Sequence, residues 1–573
     1  MKYKWELAKP NFDTANALVA ALKVSPLMAQ CLVNRGVTES ETAERFLEPR
    51  LKQLADPFQL PEMRRAVDRL FAARDAGEPI TIFGDYDVDG ITSTAILKIS
   101  LEQLGWEIRH YLPHRMDDGY GLSREAVEKC LVNCPNTVFL AVDCGSTNTE
   151  SITWLRDKGV DVLVLDHHQV VDPAPPAYAL VNPQRAAEGE PCFRELCSAG
   201  LAFKLLHAVV KAGRERDDPA MADFDLRPYL DLVALGTIAD QVPLTGENRI
   251  LVDCGLRKLN ETDRPGLVAL KKIALSGDGV GVYEVGFQLG PRLNAAGRLE
   301  SAGAALDLLL APNSTTAEKL AAKLDTHNQE RQRTQKEITD HLIDGLRLRF
   351  DAKKDFVVVE GQPHWHIGVV GIVAGRVKDE FNRPAIVLGG DGDLLRGSGR
   401  SVTGFDLADA LRACDDLLLD HGGHAMASGL TIEPGKLDAF RERLNEVARE
   451  RMDGISHQTP LRLDTETTLY ELTMTRLREL EKLEPTGQSN PPVHVVLRDL
   501  ELQRAPFRMG QEQQHAKLHV TDGAMTAEAV MWNVPEDGIP EGRFDLAAAP
   551  SINEFRGRRS VQLKILDWRP ADG

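Results

Sequence analysis

Apolar and polar positions in the first third of the chain change in blocks rather than residue by residue. PITIF (79–83), TVFLAV (137–142) and VDVLVL (160–165) are short, near-continuous runs rich in Val, Ile, Leu and Phe, the pattern of strands buried on both faces. Between them, TSTAILKISLEQLG (92–105) and STNTESITWLRDKG (146–159) carry helical spacing. Strand, helix, strand, helix predicts a parallel sheet covered on both sides, with all strand C-termini on one edge where ligands bind. Each of those ends meets potential metal ligands: Asp85, Asp87 and Asp89 in GDYDVDG, Asp143 in AVDCGS, and Asp166, His167 and His168 in LDHHQ. A further apolar helix in DLVALGTIADQVPL (231–244) is expected to stop near Asp240, ahead of Pro243.

Asp85, Asp87 and Asp89 would repel one another without a positive partner. An EF-hand loop would need a bidentate Glu at its twelfth position, which is Ile96 here, and would follow a helix rather than a strand. A solvated acidic turn is the plain alternative for GDYDVDG, and a solvated helix end for Asp240. Convergence on one sheet edge decides for a cation. An Asp-rich set with imidazole suits Mn²⁺ or Mg²⁺, and a carboxylate shared by two such ions makes a phosphoester-hydrolysing site.

The stretch 315–350 has no Gly or Pro until Gly345. Its apolar spacing is confined to the ends, at Leu320 and Leu324 and at Ile338, Leu342 and Leu346. Its centre, DTHNQERQRTQKE, is polar all round, which predicts a helix of roughly 50 Å spanning between domains. Beyond it, DFVVVEG, WHIGVVGIVAGRVKDEF and RPAIVLGG read as strand, helix and strand. Two Gly-rich segments follow, LLRGSGRSVTGFDL (394–407) and HGGHAMASGLTI (421–432). Backbone N–H groups in such segments can approach an anion closely, with charge from Arg396, Arg400 and His424. GFQLGPRLNAAGRLE (286–300) reads as a polar loop carrying Arg292, Asn294 and Arg298, and YLPHRMDDGYGL (111–122) offers His114, Arg115 and Tyr120. After a linker at 453–460, alternating short runs predict about five antiparallel strands and an OB-like barrel. Lys517, Arg556, Arg558 and Arg559 beside Phe507, Trp532 and Phe555 would suit unpaired nucleic acid.

Length and charge leave these readings standing. The 573 residues allow three to four domains. A net charge of −18 excludes a uniformly basic coat but not a local basic groove. The eight Cys form no paired zinc knuckles and read as reduced thiols of a cytoplasmic protein. There is no phosphate loop for ATP, no 18-residue apolar run and no apolar segment at the start resembling a secretory signal.

GDYDVDG, AVDCGS, LDHHQ and GTIADQVPL, in that order, resemble motifs I to IV of the DHH phosphoesterases. With the later segments, GGHAMASG above all, the resemblance covers about residues 60 to 570 and points to the family's single-strand-specific 5′→3′ DNA exonucleases. It implies an α/β fold: a parallel-sheet DHH catalytic domain (61–314, with a helical extension) joined by a long helix (315–350) to a smaller α/β DHHA1 substrate-binding domain (351–455). A helical cap (1–60) would precede these and an OB-like β-barrel (460–573) would follow. By the resemblance, Asp87 and Asp143 hold one divalent cation, Mn²⁺ or Mg²⁺, with Asp85 close by. Asp89, Asp143, His167 and Asp240 hold a second, His168 meets the scissile phosphate, and Asp166 supports the histidines. Arg292, Asn294, Arg298 and His424 would meet substrate. Tyr120 would meet substrate beside the active-site edge, Arg115, Ser398 and Arg400 would line a pocket for the 5′-terminal phosphate, and Lys517, Trp532, Phe555 and Arg558 a groove on the barrel. Implied partners are single-stranded DNA, the acidic C-terminal tail of single-stranded DNA-binding protein and a RecQ-type helicase, with no membrane and a monomeric chain. A DHH phosphoesterase for small or very short nucleotides would have no use for the barrel. A catalytically inactive scaffold would not keep every ligand position filled.

Overall fold

Strand β1 (Tyr3–Leu7) precedes the sheet that the apolar blocks build: β2 (Ile80–Gly84), β3 (Ile108–Tyr111), β4 (Val138–Val142), β5 (Asp161–Leu165) and β6 (Ala179–Val181). All its pairings are parallel, in the order β3-β2-β4-β5-β6. β2 and β4 are buried along their whole length, which is why their sequences are apolar without alternation. The helix Val88–Gln103 is buried on nearly every side, packed on β2 and against the helices Ser198–Glu215 and Leu230–Ala239. The computed structural model describes residues 3–114, 121–135, 137–186, 193–277, 279–299, 302–390, 392–452, 458–534, 538–555 and 557–571. The chain divides into two units: Met1–Gly297 with Ser301–Ala321 and Pro460–Gly573, and Arg298–Glu300 with Ala322–Thr459.

In the second unit β7 (Val358–Gly361), β8 (Ala385–Gly390), β9 (Leu395–Arg400), β10 (Asp420–His424) and β11 (Ala427–Ile432) form a sheet in the order β10-β11-β9-β8-β7. β7 and β8 are parallel and the rest antiparallel. The long helix runs Ser314–Arg349, and Ile338, Leu342 and Leu346 join the core around Val370, Val373 and Trp365. Its centre departs from the expectation of a helix solvated all round. His327, Asn328 and Arg331 are buried, and along the helix Arg331 bonds Gln335 at 2.9 Å and Asn328 at 2.5 Å. A buried polar face of this kind carries no apolar signal.

β12 (Thr459–Leu463) pairs with β1. After it come β13 (Thr465–Glu466), β14 (Val495–Leu502), β15 (Phe507–Met509), β16 (His515–Thr521), β17 (Thr526–Met531), β18 (Phe544–Phe555) and β19 (Arg558–Pro570). β14 pairs with both β18 and β16, and β18, β19, β17 and β16 are neighbours in turn, so the ladder closes on itself as an OB-type barrel. The N-terminal region, expected as a helical cap, opens with the strand β1, and its helices Phe12–Leu22, Pro26–Asn34 and Ser40–Leu47 share one core with the barrel, Leu18, Met28 and Leu32 lying in the cluster of Leu497, Leu518 and Phe544. Buried Arg249, on the helix Gly246–Asn260, fastens this assembly to the part that carries the parallel sheet, donating to the carbonyls of Phe46, Lys482, Leu483, Glu484 and Pro485. Among the described residues no single helix is long and apolar enough to cross a membrane, and the seven described cysteines are free thiols.

Candidate metal centre

Asp85, Asp143 and Asp166 directly follow β2, β4 and β5, three adjacent parallel strands. Asp143 sits in the left-handed region, φ 64°, with its N–H on Leu165 O at 3.0 Å. A non-glycine residue there is held by its surroundings and is common at functional sites. Asp87 caps the helix Val88–Gln103, accepting the N–H groups of Asp89 (2.9 Å) and Gly90 (3.2 Å). Gly90 is required by close approach, since a Cβ there would lie 2.6 Å from Asp85 O. Asp89 in turn accepts the N–H groups of Ser198 (2.7 Å) and Ala199 (2.8 Å), which open the helix Ser198–Glu215. At Gly236 a Cβ would meet Thr92 Oγ1 at 2.4 Å and Ala199 Cβ at 2.6 Å. The missing side chain therefore lets the helix Leu230–Ala239 come close and place Asp240, its C-cap, beside the other acids.

Among the described residues, three groups have ligand atoms within 4.8 Å of one another: Asp85, Asp87 and Asp143; Asp89, His167 and Asp240; and Asp143, His167 and His168. His167 Nε2 is buried with no hydrogen-bond partner. It lies 3.5 Å from Asp143 Oδ1, 3.6 Å from Asp240 Oδ2 and 4.0 Å from Asp89 Oδ2. Burial and the neighbouring His168 push His167 down to about 4, so at neutral pH these contacts are not ion pairs. A neutral imidazole nitrogen faces three carboxylates, and a divalent cation between them fits both.

Burial first, then mutual repulsion, raises Asp89, Asp143 and Asp240 above the usual carboxylate range. In metal-free protein these groups hold protons that a cation must displace. Affinity for Mn²⁺ should therefore rise as the pH passes about 6, where Asp89 loses its proton, and go on rising to about 9, where Asp240 does, with protons released on binding. Calorimetric titration in buffers of different ionisation heat measures both, and a pH-independent affinity would contradict the shifts.

Asp166 accepts from the N–H groups of Ser146 (3.0 Å), His167 (2.8 Å) and His168 (3.2 Å), and its Oδ1 lies 2.7 Å from His168 Nδ1. Burial would raise Asp166, but the hydrogen bonds and charge of His168 hold it well below the usual range. Burial would likewise lower His168. The Asp166 bond and charge outweigh it and push His168 up to about 9. His168 is thus an imidazolium at neutral pH, oriented through Nδ1, with its side chain 39 % exposed.

Ser198 and Asn182 belong to the site without any motif marking them, and Ser146, the last residue of AVDCGS, belongs to it although only Asp143 of that motif was singled out. Ser198 Oγ donates to Asp143 Oδ1 at 2.9 Å. Asn182 Nδ2 bonds Ser146 Oγ and His168 O, both at 2.8 Å. The small-residue start CSAG (197–200) before an apolar helix was the only local sign of the first.

The remaining expected residues separate into several places. Residues 286–299 are helical, a π-helix Val285–Leu289 leading into the helix Gly290–Leu299, rather than a polar loop. Arg292 bonds Gln288 O within it. Asn294 Oδ1 accepts Val88 N–H at 3.2 Å, so it steadies the acidic loop. In the second unit Arg298 Nη1 bonds Gly368 O at 3.0 Å. Arg400 Nη1 bonds Ser398 Oγ at 2.9 Å on β9, and His424, Ala427 and Arg400 lie level across β10, β11 and β9. A Cβ on Gly371, in the first turn of the helix Val370–Phe381, would lie 2.9 Å from Ser398 Oγ and 3.1 Å from Arg400 Nη2. Arg115, Tyr120 and the side chain of Phe555 lie outside the described residues. On the barrel, Lys517 of β16 lies level with Phe507 of β15 and Val530 of β17 and is ion-paired with Glu528 at 3.0 Å, Trp532 follows β17 with its ring 4.6 Å from that of His515, and Arg558 opens β19.

Family models match in order along the chain: the DHH family, N-terminal domain over residues 79–237, the DHHA1 domain over 354–450 and the RecJ OB domain over 463–567. A single-stranded-DNA-specific exonuclease RecJ of Bacillus subtilis (strain 168) is 35% identical over 99% of this chain and 71% of its own length. That of Salmonella typhimurium is 35% identical over 100% of both. The crystal structure of RecJ in complex with Mn²⁺ from Thermus thermophilus superposes with a TM-score of 0.85 at 29% identity, over 100% of this chain and 80% of that one. Ordered domains, full-length relatives and a buried carboxylate–imidazole cluster at the strand edge lead to one conclusion: the chain belongs to the RecJ family of DHH phosphoesterases.

Proposed function

We propose that the protein is a metal-dependent exonuclease that degrades single-stranded DNA from its 5′ end to 5′-mononucleotides, serving DNA recombination and repair. The observation that carries this reading is the neutral, unpartnered His167 Nε2 facing Asp89, Asp143 and Asp240. Asp85, Asp87 and Asp143 would hold one Mn²⁺ or Mg²⁺, and Asp89, Asp143, His167 and Asp240 the other. Bound there, the cations supply a water that is nucleophilic at neutral pH and neutralise charge on the phosphoryl oxygens. His168, charged and oriented by Asp166, offers an N–H to a phosphate oxygen, and its positive charge gains most as the phosphoryl group becomes more anionic.

The reading extends to the rest of the chain. Residues 61–314 form the catalytic domain, the helix 315–350 leads to the substrate-binding domain 351–455, and 460–573 bind the strand with the N-terminal helices packed beneath. Exposed Phe507 and Trp532 offer faces on which bases stack. The enzyme acts as a monomer in the cytoplasm, with single-stranded DNA-binding protein, through its acidic tail, and a RecQ-type helicase as partners. Digestion of an oligonucleotide labelled at either end, with Mn²⁺, Mg²⁺ or chelator, tests the function. Label released first from the 3′ end, or full activity in chelator, would refute it.

Recognition of the 5′ end falls to Ser398 and Arg400, because a terminal phosphate carries more charge than an internal one and a guanidinium can grip two of its oxygens. Arg400→Ala is expected to weaken binding of 5′-phosphorylated strands by about 10- to 100-fold and to change binding of 5′-hydroxyl strands little. Fluorescence anisotropy with both strands measures this, and equal losses would make Arg400 a general backbone contact.

A further inference from the structure

Ser198 is wholly buried at the first position of the helix Ser198–Glu215. A hydroxyl at a helix start ordinarily bonds its own first turn. This one reaches 55 positions back along the chain, donating to Asp143 Oδ1 at 2.9 Å, the same oxygen that stands 3.5 Å from His167 Nε2. The backbone N–H of the same residue donates to Asp89 Oδ2 at 2.7 Å, and the next N–H, of Ala199, to Asp89 Oδ1 at 2.8 Å. One rigid helical turn therefore holds a carboxylate from each of the groups Asp85–Asp87–Asp143 and Asp89–His167–Asp240.

From this geometry we infer that Ser198 is a positioning residue that sets the protein's affinity for its divalent cations. The inference rests on the assignment of Asp89 and Asp143 as cation ligands. The hydroxyl takes up one lone-pair direction of Asp143 Oδ1 and fixes the rotation of the carboxylate, leaving its other lone pairs to the cation side. Asp143 leaves its strand in a left-handed conformation, so its side chain needs such an anchor to keep one orientation among four other ligating acids. The backbone donors to Asp89 survive any substitution that keeps the helix, whereas the hydroxyl can be removed alone.

The test is calorimetric titration of Mn²⁺ into the full-length, chelator-stripped protein. Ser198→Ala is expected to bind Mn²⁺ about 10-fold or more weakly, as removal of a group that orients a ligand does elsewhere. The rise in Tm on adding Mn²⁺ should shrink with it, while Tm in chelator stays near that of the unaltered protein. Ser198→Thr, which retains the hydroxyl, should restore Mn²⁺ affinity. Strand cleavage by Ser198→Ala should recover as Mn²⁺ is raised, a response that a merely structural defect would not show. Unchanged Mn²⁺ affinity in Ser198→Ala, or an equal loss of Tm with and without Mn²⁺, would overturn the inference. Because the titration reads the cation directly, a protein that binds Mn²⁺ but cuts no strand would count against the nuclease reading alone.

Discussion

Asp143→Ala is expected to lower the rate of strand hydrolysis by more than about 10³-fold, the scale of removing a principal stabiliser of transition-state charge. Among the described residues Asp143 is the one carboxylate found both with Asp85 and Asp87 and beside His167, so its loss spoils both coordination sets at once. The fold should survive. Burial and four neighbouring carboxylates raise the Asp143 pKa, so its charge is unfavourable in metal-free protein, and in chelator the variant should be at least as stable as its parent. Initial rates on a labelled oligonucleotide, with circular dichroism as the control, decide the matter. Turnover near that of the unaltered protein would end the two-cation account.

Arg249→Ala should produce the largest loss of stability, about 3–5 kcal/mol. The residue is 2 % exposed, and among the described residues its guanidinium hydrogen-bonds backbone carbonyls and no carboxylate. Nε bonds Phe46 O, Nη1 the carbonyls of Leu483 and Pro485, and Nη2 those of Lys482 and Glu484. Its ring-facing side covers Phe46, with Cζ 3.9 Å from the ring centre. Truncation leaves several buried carbonyls without donors and a cavity where the N-terminal helices, the catalytic part and the segment before the barrel meet. Arg249→Lys should recover only part of the loss, because one ammonium cannot reach carbonyls spread over three guanidinium nitrogens. Urea unfolding measures the difference, and a change below about 1 kcal/mol would show that water replaces the lost donors.

The order and kind of the elements were legible because burial on both faces leaves parallel strands apolar without interruption, and the helices between them repeat every 3.6 residues. Once β2, β4 and β5 are parallel neighbours, their C-termini must share an edge, so the meeting of Asp85, Asp143 and His167 followed from local pattern and chain direction. Alternating runs marked the barrel for the complementary reason, that only one face of a strand such as β16 is fully buried. What only the tertiary structure decided are the polar contacts between distant segments: Ser198 on Asp143, Asn294 on Val88, Arg249 on the carbonyls before the barrel, and the packing of the N-terminal helices onto the barrel core. It also decided that His327, Asn328 and Arg331 at the centre of the long helix are buried. Hydrophobic periodicity is local, because each residue reports only whether its own face meets water. A buried polar group is stable only once its partner arrives, and the partner is placed by the whole fold.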